Sequence, residues 1–113
     1  MRLITKSALR TLAQMSFAEF QQSLTATPAP PGDASPALQA LWHDARGNWD
    51  RAHACAQGDA GRDGAWVHAY LHRKEGDAGN AGYWYARARR PAPAEGVTLE
   101  VEWTEIAREL LAR

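Results

Sequence analysis

The feature that most restricts what this chain can fold into is an internal echo in its middle. Ala40, His43, Gly47, Asn48 and Ala52 return as Ala69, His72, Gly76, Asp77 and Ala81, at a constant offset (76 against 47, a displacement of 29). A shared displacement of this size is the mark of stacked helix pairs, none of which can bury its apolar face alone. Each echoed residue has a mechanical task. Gly47 and Gly76 can take the left-handed conformation that ends a helix. Asn48 and Asp77 can then accept from free amides at the start of the next one. Ala52 and Ala81 are small, so the second helix of each pair can lie close against the first.

The rest of the chain extends this all-α reading. Ser16 to Glu19 has capping-box spacing, and Phe17, Phe20 and Leu24 share a face of the short helix that follows. Prolines at 28, 30, 31 and 36, with Gly32, break regular structure and mark 27–35 as a linker. Ser35-Pro36 starts a helix that runs to Arg46, and Asn48 starts one that ends near Gly58. Asp63 stands where it would cap a helix over roughly 64–75, partnered by a helix over 78–89 that Pro91 and Pro93 close off. The last segment, 98–112, sets Leu99, Trp103, Ile106, Ala107 and Leu110 on one stripe, with a short extended alternative over Val97–Val101. Leu3, Ile4, Leu9, Leu12 and Met15 fit either one helical face or a frayed arm. The expectation is a single domain in four parts: an N-terminal helical segment over 1–26, the linker, two hairpins over 36–89, and a C-terminal helix. The terminal helices cap the hairpins into one bundle.

Composition narrows the function classes. The 113 residues carry 13 basic and 13 acidic side chains, so there is no basic surplus to meet nucleic-acid phosphates. A single cysteine, Cys55, excludes an internal disulfide and fits a reducing compartment. No apolar run is long enough to span a bilayer, and the early cations Arg2, Lys6 and Arg10 precede no continuous apolar core. A cytoplasmic protein without nucleic-acid or membrane partners is the expectation.

Gly76-Asp77, Ala81, Tyr85 and Ala88 resemble the second half of a tetratricopeptide or Sel1-like repeat, and the resemblance covers about 38–88. Ala56 stands where the first pair would repeat Tyr85, and the spacing is shorter than the 34 residues usual for the repeat. The run from Trp66 to Asp77, with Tyr83-Trp84-Tyr85, also resembles a set of bacterial proteins and brings no activity with it. The repeat resemblance implies a partner-binding face on the first helix of each pair: Trp66, Tyr70 and Arg73, with Leu41 and Asp44. Two aromatics beside an arginine suit a peptide or carboxylate, which implies a non-enzymatic interaction module for a protein or peptide partner. The competing reading makes Trp66 and Tyr70 core, covered by a terminal helix. Arrays of this kind usually need at least three repeats, so a homodimer would cover the apolar ends of two.

The alternative function is metal binding. His68 and His72 stand at i and i+4, which puts both imidazoles on one side of a helix within reach of one ion. Glu75 is a third ligand on the same side, and His53 or His43 would complete the set. A divalent transition metal such as zinc is the implied cofactor, in a binding protein or a small metalloenzyme. The zinc-protease helix has Glu directly after its first His, and here that position is Ala69. Hydrogen-bonded structural histidines are the plain reading. Cys55 reads as a small buried hydrophobe. Arg87, Arg89 and Arg90 close a helix, where cations favour the dipole and a small phosphate or acidic peptide would find a contact. No phosphate-binding glycine loop or nucleophile elbow occurs, so no catalytic residue is assigned.

Overall fold

Helix starts are set by caps. In the computed structural model, which describes Leu12 and residues 15–113, Ser16 accepts from the Glu19 amide while Glu19 reaches back to the Ser16 amide, opening α1 (Phe17–Ala26). Ser35 caps α2 (Pro36–Ala45), with Pro36 in its first turn. Asn48 caps α3 (Trp49–Gln57), Asp77 caps α5 (Ala78–Ala88) and Thr98 caps α6 (Leu99–Leu111). The one departure is α4 (Arg62–Glu75), whose N-cap is Gly61, with no side-chain cap. Asp63, expected in that role, lies inside the first turn and pairs with Arg113 instead. Val97–Val101 forms no strand: Thr98 is the cap of α6, and Leu99 to Val101 lie within it. Among the described residues there are six helices and no strand, and none of these helices is long and apolar enough to cross a membrane.

The echo of 29 residues is an echo of helix endings. Gly47 and Gly76 have φ of +80° and +91°. At each, two backbone bonds close the turn: Asn48 N–H to the His43 carbonyl and Gly47 N–H to that of Asp44, then Asp77 N–H to His72 and Gly76 N–H to Arg73. This double closure satisfies carbonyls that would otherwise be orphaned at a helix end. It folds α3 back on α2 and α5 back on α4, and α3 also lies against α4. Ala52 and Ala81 are buried in these seams.

The core is one cluster. Trp42, Phe20, Leu38, Leu41, Leu71, Ile106 and Val67 are its largest fully buried side chains. α6 crosses α2 and α4, and α1 packs on α6, where Phe20 stacks on Trp103. Leu12 and Met15 pack against the core, while Leu3, Ile4 and Leu9 lie outside the described residues. The linker over 27–35 is pinned: Arg46 donates to the carbonyls of Leu24 and Thr27, and the Asp33 carboxylate accepts from Leu12 N–H.

Two buried carboxylates tie the hairpins and α6 together. Asp44 on α2 accepts from the Tyr70 hydroxyl at 3.1 Å and the Lys74 ammonium at 2.9 Å. Glu102 on α6 accepts from Arg73 at 2.8 Å and from the Tyr85 hydroxyl. Each is only 3% exposed, so the partners offset a desolvation cost that an unpaired carboxylate would carry in full. Burial, with the adjoining carboxylates, pushes both tyrosine hydroxyls far above their usual range and keeps them donors.

Candidate metal centre

α3 presents Trp49 and His53 one turn apart, and α4 presents His68 and His72 one turn apart. Because α3 lies against α4, the three imidazoles meet. One nitrogen from each of His53, His68 and His72 falls within 4.8 Å of the others. His53 Nε2 and His68 Nε2 are 2.9 Å apart. The His68 and His72 rings stack at 4.8 Å, and the His53 ring stands edge-on to both. His68 and His72 are buried and His53 half-buried.

Two tryptophans hold the rings in place. Trp49 stacks on His53 at 4.8 Å, with its indole N–H fixed to the Leu71 carbonyl at 3.0 Å. Trp84, from α5, stacks on His68 at 3.9 Å. The His53 and His68 rings are thereby restrained, which is the preorganisation a metal site needs. Behind His72, Nδ1 lies 2.7 Å from Glu75 Oε2. A carboxylate there accepts from Nδ1, the arrangement found behind metal-bound histidines.

Electrostatics favour the neutral form of His68 and His53. Burial, then the neighbouring His53 and His72, lowers the His68 pKa to about 4. Burial and then His72 lower that of His53, against Glu75 and Asp50, which raise it. Neutral imidazole is the form that offers a lone pair.

Three imidazoles are a donor set whose chemistry suits a tetrahedral ion, and their nitrogens lie within 4.8 Å of one another. Zinc–nitrogen bonds of about 2.0–2.1 Å put neighbouring ligand nitrogens about 3.3 Å apart, a few tenths wider than the His53–His68 separation. Three imidazoles suit zinc, copper or nickel, and they leave a fourth position open. Glu75, expected as a direct ligand, stands behind His72. It also forms a second group with His72 and Asp77, but both carboxylates there are exposed and that group shares His72 with the trio.

His43 is not part of the trio. Its ring stands against Trp42 and lines a separate cleft beside Pro28–Gly32. The shared slot of His43 and His72 is a backbone role, since each carbonyl closes a helix end. Cys55 is half-buried, with its thiol pKa raised by burial.

The aromatic patch lies inside the molecule. Trp66 is 8% and Tyr70 3% exposed, and Arg73 is bound to Glu102 and to the Val97 carbonyl on the α6 side. Arg90 covers the Trp66 ring at 4.0 Å and pairs with Glu109. Arg73 stays part-exposed, and Trp66 lines a cleft of about 950 Å³ together with Arg90 and Glu102. The sequence alone passed over Trp49 and Trp84 as site residues. Their signal was present for Trp49, at i−4 to His53, and absent for Trp84, which the hairpin brings in from another helix. No family model, no curated protein and no solved structure matches this chain.

Proposed function

We propose that this domain binds one divalent transition-metal ion, zinc or a close relative, through His53, His68 and His72. Glu75 serves as the carboxylate behind His72. The observation that carries this reading is the convergence of three imidazole nitrogens from two helices within 4.8 Å. Trp49, Trp84 and Glu75 support it, because each restrains a ring in the pose a ligand needs. Three protein ligands and an open fourth position are the count used where a metal does chemistry, whereas closed structural sites use four.

The likeness of the hairpins to tetratricopeptide or Sel1-like pairs belongs to this proposal. What supports it is the pair of left-handed glycines and the buried alanines at matching positions. In this reading the hairpins hold the trio in place rather than present a groove.

The test is a calorimetric zinc titration of chelator-stripped protein. The wild type takes up one ion per chain, and His53→Ala, His68→Ala and His72→Ala each lose at least about 100-fold in affinity. Uptake that is absent in the wild type, or unchanged in all three variants, contradicts the reading.

A further inference from the structure

A cleft of about 490 Å³ is lined by one member of the trio, His68. Its other walls include Trp84, Gly61, Asp59, Arg62 and Arg87. Arg62 comes from the first turn of α4 and Arg87 from the last turn of α5, so the hairpin brings the two cations to one end. Both are exposed, and among the described residues neither is paired with a carboxylate. Arg87 lies over the rings of Trp84 and Tyr83 and donates to the Tyr83 hydroxyl, which orients it without neutralising it. Asp59 is the one acid in the lining, and its Oδ1 accepts the Gly61 amide at 2.9 Å. The start of α4, which no side chain caps, borders the same space. A chain of zero net charge thus collects two cations without a carboxylate partner in the cleft beside His68.

We propose that this cleft binds a small oxyanion, a phosphate or carboxylate group, held by Arg62 and Arg87 beside His68. The proposal rests on the metal reading above. Guanidinium forks match both groups in geometry, and a cleft of this size takes a metabolite rather than a polymer. Arg87 supplies a further link, since the indole it covers is the plate behind His68. An anion drawn to Arg87 therefore lies one ring away from a metal ligand.

The experiment uses the cobalt-loaded full chain, whose visible spectrum reports changes in the ligands around the ion. Inorganic phosphate and succinate are titrated separately into wild type and into Arg62→Ala/Arg87→Ala. The wild-type spectrum shifts with at least one anion, and the midpoint rises at least about tenfold in the double variant, which keeps its cobalt. Phosphate alone acting names a phosphate ligand, and succinate alone names a carboxylate. If the double variant loses cobalt, Arg62→Ala is read in its place, because Arg62, unlike Arg87, lies over no aromatic ring among the described residues; a rise in its midpoint supports the proposal and an unchanged midpoint counts against it. Wild type that takes up no cobalt overturns both readings. Wild type that takes up cobalt but ignores both anions, or responds equally in the variant, overturns this inference alone.

Discussion

His72 joins three demands in one residue. Its carbonyl closes the end of α4 by accepting from Asp77 N–H. Its ring stacks on His68, and Nδ1 is bonded to Glu75. The carboxylate therefore acts on the ligand rather than on the ion. Glu75→Gln keeps the shape and removes the charge behind the ligand while the fold stays intact. Zinc affinity in Glu75→Gln should fall by about 10- to 100-fold with a nearly unchanged melting temperature, read by calorimetry and circular dichroism. An unchanged affinity would mean that Glu75 has no hold on the ligand. The same separation of roles explains why His43 misled: it matches His72 in backbone duty, and its side chain has a different neighbourhood.

At the scale of the element, the turns carry the fold. A Cβ added at Gly76 would meet nothing within 4 Å, so the cost of replacing it is backbone strain alone, at φ of +91°. Gly76→Ala should destabilise the domain by about 1–2 kcal/mol in urea unfolding, and Gly76→Asn by less, because Asn tolerates the left-handed region. A neutral Gly76→Ala would show that α4 and α5 are held together by packing without help from the turn. Caps and turns were legible in the sequence because they are local: Ser16, Ser35, Asn48 and Asp77 all cap as their spacing predicts. Asp63 failed because Asp59 takes the Gly61 amide and tightens the preceding turn. Gly64 allows this, for a Cβ there would come within 2.2 Å of the Asp59 carbonyl oxygen. The i, i+4 pair His68 and His72 was equally readable. The ties of Tyr70 to Asp44 and of Tyr85 to Glu102 were not, because each joins separate helices far apart in the chain and leaves no spacing to read.

For the whole molecule, His68 and His53 make stability depend on pH. His68 has a folded-state pKa of about 4, below the unfolded value of about 6.5. The unfolded chain therefore binds more protons across that interval, and stability is full above pH 6.5 and lost as pH falls toward 4. The slope is at most about 1.4 kcal/mol per pH unit for each proton taken up, and His53, also lowered, adds to it. Melting temperature should decline steadily from pH 7 to pH 4.5, and His68→Leu should flatten the decline. A profile that is flat in the wild type would mean that His68 and His53 are not closed to protons as their burial implies. Saturating zinc should raise the melting temperature at pH 7, because a ligand selective for the folded state stabilises it.

The most direct test of the trio as a metal centre is the zinc-edge X-ray absorption spectrum of protein loaded with one equivalent. The account predicts three imidazole nitrogens at about 2.0–2.1 Å with one further light atom in the open position. A sulfur at about 2.3 Å from Cys55, or a shell of oxygens alone, would place the ion elsewhere and contradict it.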